Sequence, residues 1–198
     1  MYKMVLTPDP ILSSVSKSVD KFDKKLSEIL FSMEESLRAT SDPVGVGLAA
    51  PQVGLPLRIF QMRPDEKSRV RTFINPKILS ISEDLNEFTS QSGRKKKAID
   101  EGKIPAPKGK RLLEGCLSIP NIWGYVQRKK DVMLSYQDAE GNSHEELFTG
   151  FPAIIVQHEM DHLNGVLFTH HVMEQNERLY KSSKDEKGED VFEEIELL

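Results

Sequence analysis

The chain has 198 residues, of which 38% are hydrophobic and 29% charged, with a formal net charge of -4. This is an ordinary composition for one domain, residues 1–198, with a sizeable core, and it excludes collagen-like, mucin-like and wholly disordered classes. A single cysteine, Cys116, excludes an intramolecular disulfide framework and fits a reducing compartment, the cytoplasm, where a lone cysteine is buried filler, a nucleophile or a metal ligand.

Pro8 and Pro10 interrupt the start before a signal-peptide apolar region forms, and apolar runs such as Ala153–Val156 are short, so neither export nor a membrane role is expected. Leu26, Ile29, Leu30, Met33 and Leu37 recur at intervals of three and four, which predicts an amphipathic helix over 23–39 with Asp20 or Asp23 at its cap. The stretch from Asp42 to Gln52, with Gly45 and Gly47, reads as a loop that permits close backbone approach. Strands are predicted at 57–62, 70–74, 126–136 and 145–148, with a turn at Glu140-Gly141-Asn142. The connections are too short for helical crossovers, so the pairing is antiparallel.

Residues 82–110 show little apolar periodicity. Between Arg94 and Arg111 there are eight Lys/Arg and two acidic residues, so this segment reads as a charged, solvated insertion loop; contact of the Arg94–Lys97 run with the ribosome is the sharper alternative. A second helix has Thr149 as its cap, Pro152 in its first turn and Asn164-Gly165 as its stop. From Val172 the chain starts with helical spacing, and Lys184–Leu198 carries two lysines and seven acidic residues, which predicts a C-terminal helix and an acidic tail over 172–198.

The second helix contains His158-Glu159-Met160-Asp161-His162. Residues four apart share a helix face, so His158 and His162 can clamp one divalent ion while Glu159 addresses a metal-bound water. A third ligand is required. Phe168 occupies the position where an extended zinc-protease pattern would place a histidine, and Phe cannot ligate. Glu174 or Glu177 would make a glutamate-type endopeptidase. Cys116, in Glu114-Gly115-Cys116-Leu117-Ser118, would make a Cys/His/His set that leaves a position open for water, either catalytic or structural.

Three segments in order, Gly45-Val46-Gly47-Leu48-Ala49-Ala50-Pro51-Gln52, Glu114–Ser118 and Gln157–Gly165, resemble the peptide deformylase family, with looser similarity from about Asp9 to Phe168. The resemblance implies an α+β fold, with antiparallel sheets packed around a central helix that carries the metal motif. It implies metal-dependent hydrolysis of the formyl group from the N-terminal formyl-methionine of new polypeptides, releasing formate, with metal-bound water as nucleophile. Residue by residue, it makes Cys116, His158 and His162 the metal ligands and Glu159 the general base and acid. The Gln52 side chain and the Leu117 backbone N–H become donors to the developing oxyanion. Nascent formyl-methionyl peptides would lie extended near Gly47 and Gly115, with the methionine side chain among Val46, Leu112, Phe151, Ile154, Ile155 and the His158 ring. Glu114 and Arg128 would brace the cysteine loop, and Asp161 is left between that role and exposed helix surface. The cofactor implied is one divalent ion, Fe(II) in the cell, with Zn(II) or Ni(II) able to take the site in a purified sample. DNA is not among the expected partners; the ribosome is a possible transient one. The chain departs from compact members in the length of the segment before Glu114, and in Trp123, which stands where some members have an arginine near the substrate.

Overall fold

The computed structural model describes residues 1–41, 44–87, 99–105, 109–186, 188 and 190–195. Helix α1 (Lys24–Ala39) begins at Asp23, whose carboxylate accepts the Leu26 N–H at 3.0 Å. It buries Leu26, Leu30, Met33 and Leu37 against Leu48, Val53, Ile59 and Ile74, while Ile29 of the predicted stripe is half-buried. The glycine segment is more ordered than a loop: strand β1 (Gly47–Ala49) runs into a 3-10 turn at Ala50–Val53.

Strand β2 (Ile59–Met62) pairs with β3 (Arg71–Ile81), which continues well beyond the predicted end at Ile74. Asn75-Pro76 reads as a break because proline cannot donate to a ladder. The strand instead passes through a register shift between Ile74 and Lys77, with Asn75 at φ 49. Strands β4 (Leu112–Cys116) and β5 (Ile119–Val126) precede β6 (Asp131–Gln137) and β7 (Ser143–Thr149). The single strand predicted over 126–136 is therefore two. Between them the chain changes sheets, and the Lys129 N–H and carbonyl both bond the Gln157 side chain, at 3.0 and 2.9 Å.

Helix α2 (Gly150–Leu163) is buried on nearly every side, from Ala153 to Leu163, as expected of a helix whose apolar residues do not form a single stripe. Thr149 sits at its N-cap without a side-chain cap bond; Pro152 occupies the position whose N–H a threonine would take. Its C-terminus is a complete Schellman turn, with Val166 N–H on the Asp161 carbonyl at 2.9 Å and Gly165 N–H on the His162 carbonyl at 3.2 Å. The charged insertion is solvated only in part. Ile104 is fully buried with Leu113, Trp123, Tyr125 and Tyr180, while the Arg94–Lys97 run lies outside the described residues.

The C-terminal expectation needs a larger correction. Helix α3 (Phe168–Glu174) starts earlier than predicted and ends soon, and the segment assigned to a tail forms a hairpin of β8 (Leu179–Lys184) and β9 (Asp190–Ile195). Within this acidic composition Phe192 and Ile195 pack on buried clusters. All named strand pairs are antiparallel. One sheet has the order β1-β2-β3-β6-β7 and the other β4-β5-β8-β9. Helix α2 packs on the first sheet, and α3 on β4 and β5 of the second, so the predicted α+β class holds. Among the described residues no helix is long and apolar enough to cross a membrane.

Gly165 has φ 72, and a Cβ there would lie 2.7 Å from the Ser13 backbone. Gly165→Ala should therefore destabilise the fold by about 1–3 kcal/mol, read as a lower denaturant midpoint with an unchanged slope.

Candidate metal centre

Helical spacing places His158 and His162 on one side of α2, with ring centroids 5.0 Å apart. Strand β4 ends beside them at Cys116, whose Sγ lies 3.2 Å from His162 Nε2. The donor atoms of Cys116, His158 and His162 all fall within 4.8 Å of one another. With metal–sulfur near 2.3 Å and metal–nitrogen near 2.0–2.1 Å, tetrahedral neighbours stand ~3.5 Å apart, so the three donors fit one divalent ion. A thiolate is the form that ligates, and the surroundings favour it. Burial pushes the Cys116 thiol up, but the facing His162 and His158 rings outweigh it and bring the pKa down to about 5.

The ring of His158 is held from behind. Its Nδ1 is 3.0 Å from Glu114 Oε2, and Glu114 in turn takes Arg128 in a two-pronged pair, Nε to Oε1 at 2.8 Å and Nη2 to Oε2 at 2.9 Å. Burial alone would raise the Glu114 pKa; the Arg128 guanidinium and His158 hold it well below the usual carboxylate range instead. Glu114 is therefore ionised and can only accept, so His158 Nδ1 donates and its other nitrogen is left for the ion. Arg128 Nη1 also reaches Asp161 Oδ2 at 2.6 Å. Asp161 thus belongs to the brace rather than to an exposed surface.

Glu159 faces the other way. It is buried without a basic side chain bonded to it, and its Oε2 has no hydrogen-bond partner. Burial pushes its pKa up, to about 7, against the opposing pull of His158 and His162. An orphaned carboxylate oxygen beside a ligand set is where a water or a reacting group would supply the missing partner. Gly47 makes room for it, since a Cβ at that position would lie 2.1 Å from Glu159 Oε1.

Gln52 is fixed by its own turn: Oε1 accepts the Ala49 N–H at 2.9 Å, which aims Nε2 at Cys116 Sγ, 3.4 Å away, and Ser118 Oγ, 3.3 Å away. Leu117 follows the cysteine and lines the same cleft, and the Ser118 N–H donates to Cys116 Sγ at 3.4 Å, a contact that the sequence reading missed. The cleft, with roughly 660 Å³ of open space, gathers Val46, Gly47, Leu112, Gly115, Phe151, Ile154 and Ile155 around His158 and Glu159. Ile155 also belongs to the core behind α2. Val44 and Leu113 line the cleft too, without a sequence signal, whereas Trp123 lines it from its pairing opposite Gly115. The alternative third ligands lie elsewhere: Glu177 pairs with Arg111 at 3.1 Å, and Glu174 with His170 and His171 at 3.3 and 3.4 Å.

A helix with two histidines, a cysteine from a sheet edge and an unpaired carboxylate at the head of an apolar cleft are the parts of a metallohydrolase. The family model of polypeptide deformylases matches residues 1–178. A peptide deformylase of Maricaulis maris is 33% identical over 193 residues, covering 95% of each chain, and one of Borreliella burgdorferi is 35% identical, covering 94% of this chain and 97% of that protein. The crystal structure of peptide deformylase from Thermotoga maritima superposes with a TM-score of 0.68 at 33% identity, covering 87% of this chain and 97% of that one. A Synechococcus elongatus deformylase in complex with actinonin gives 0.69 at 32%, covering 86% and 80%. The chain belongs to the polypeptide deformylase family, metal-dependent hydrolases that remove the N-terminal formyl group from polypeptides.

Glu114→Gln should weaken metal retention about 10–100-fold in a chelator competition, because the His158 ring loses its ionised acceptor. It should also cost about 3–5 kcal/mol of stability, since Arg128 keeps its charge in a buried place without its partner.

Proposed function

We propose that Cys116, His158 and His162 hold one divalent ion, Fe(II) in the cell, and that Glu159, Gln52 and the Leu117 backbone N–H carry out deformylation around it. The observation that supports this most is the 3.2 Å approach of Cys116 Sγ to His162 Nε2 beside the orphaned Glu159 carboxylate. When bound, the ion supplies a Lewis acid and a water whose pKa is lowered towards about 7. Zn(II) and Ni(II) bind the same donors at least as tightly as Fe(II), so metal content after purification reports exposure as well as use.

Glu159, poised near neutrality, takes a proton as the formyl carbon is attacked and returns it to the leaving amine. Gln52 Nε2 and the Leu117 N–H converge on the carbonyl oxygen, where negative charge grows. Both are fixed before the reaction, Gln52 by Ala49 and Leu117 by its place next to a ligand, so little reorganisation is needed. Val46, Leu112, Phe151, Ile154 and Ile155 receive the methionine side chain.

Among the described residues, β1 and β4 are each at the edge of a sheet, and Gly47 and Gly115 on them both line the cleft. An extended peptide between those edges would gain main-chain hydrogen bonds with little side-chain selection, which suits nascent chains of any sequence. The setting is the cytoplasm, where a thiolate ligand stays reduced and formylated chains emerge, with contact to the ribosome transient.

The test is formate release from formyl-Met-Ala-Ser with metal analysis alongside. A chelator should abolish turnover. Glu159→Ala should retain the metal and lose turnover, Cys116→Ala should lose the metal, and Gln52→Ala should lower kcat about 10²–10³-fold. Full metal content in Cys116→Ala, or undiminished turnover in Glu159→Ala, would overturn the assignment.

A further inference from the structure

Among the described residues a second group of metal donors stands apart from the centre, at the end of α3: His170, His171 and Glu174, with donor atoms within 4.8 Å of one another. Glu174 follows the two histidines by four and three residues, so its carboxylate lies on the helix surface within reach of both rings. Its Oε2 is 3.3 Å from His170 Nδ1 and 3.4 Å from His171 Nδ1. For metal–nitrogen and metal–oxygen bonds near 2.0–2.2 Å, tetrahedral neighbours are ~3.4 Å apart, so these separations already match the edges of a coordination shell.

A second observation separates this group from an incidental surface cluster. The other nitrogen of His171, Nε2, lies 2.9 Å from Asp161 Oδ2, and Asp161 is itself clamped by Arg128 at 2.6 Å. A carboxylate behind the ring is the usual support of a metal-binding histidine, since it takes the Nε2–H and turns the Nδ1 lone pair outward. His170 and Glu174 are more than half exposed, which leaves the remaining positions to water and the site open to solution.

We propose that His170, His171 and Glu174 form a second, peripheral site for a borderline divalent cation, Zn(II) before Ni(II) or Co(II). Two imidazoles and one carboxylate are the donor types of such ions rather than of Mg(II) or Ca(II). The deformylase reading does not require this site, and the site does not require that reading. His170 and Glu174 lie outside the catalytic cleft and touch none of Glu114, Arg128 and Asp161, so substituting either leaves Cys116, His158 and His162 in place.

The experiment is equilibrium dialysis of the full chain, already loaded with one equivalent of metal, against Zn(II) at increasing concentration. A second equivalent should bind, and Glu174→Gln and His170→Gln should each weaken it at least about 10-fold while the first equivalent stays. His144→Gln serves as the control, because His144 is another exposed histidine beside a carboxylate, Asp138 at 2.7 Å, and should change nothing. Saturation at one equivalent, or a second equivalent that survives both substitutions, overturns the proposal. Loss of the second equivalent in the His144 variant does so as well.

Discussion

Buried Glu114 and Arg128 and half-buried Asp161 form a run of charges between β4 and α2, and the gathering of the Cys116, His158 and His162 donors depends on it. The sulfur and the two imidazoles come from different elements, with Cys116 and His162 46 residues apart in the chain. Apolar packing brings such elements together without fixing their register to a few tenths of an ångström, because it has no direction. The two-pronged Arg128–Glu114 pair does have direction. Glu114 sits two residues before Cys116 on β4, and Asp161 one residue before His162 on α2, so one guanidinium sets strand against helix at the place where the ligands meet. Burying the Glu114 and Arg128 charges is costly, and similar pairs in other proteins contribute little net stability. What this arrangement fixes is a distance and a tautomer.

Two buried glutamates of the same chain receive opposite treatment. Glu114 meets a guanidinium and a ring N–H and is held ionised at any ordinary pH. Glu159, on the same helix as the histidines, meets no basic partner by hydrogen bond and is raised to about 7. Environments that push two carboxyls apart sort them into roles, one that positions and one that exchanges a proton. The division follows from the neighbour each meets, Arg128 for Glu114 on β4 and Gly47 for Glu159 on α2.

The parts of this architecture that were legible in the sequence are those governed by local period. Helix α1 and helix α2 appeared close to their true bounds because apolar spacing, Asp23, Pro152 and Gly165 act within a turn or two of themselves. The His158/His162 clamp is likewise a property of one helix. Cys116 could be proposed as the third ligand but not chosen over Glu174 or Glu177 by spacing, since its distance from His162 depends on how β4 docks. The C-terminal hairpin was hidden for a different reason: β9 exposes Glu193 and Glu194 and packs Phe192 and Ile195 on buried clusters, two apolar residues that do not stand out of an acidic composition. The passage of β3 through Asn75-Pro76 was hidden because a bulge is a tertiary solution to a local break.

The same reasoning explains why the cleft is made of sheet edges. An exposed strand edge is a hazard, since it invites pairing with any extended chain. Among the described residues β1 and β4 keep such edges, yet each strand is short, three and five residues, and Gly47 and Gly115 on them line the cleft. In the binding mode proposed above, a chain that enters end first would pair with them and bring its first residue beside Glu159 and His158. Recognition by backbone would then select for an N-terminus and the apolar lining for what that terminus carries, which would separate generality along the chain from specificity at its tip.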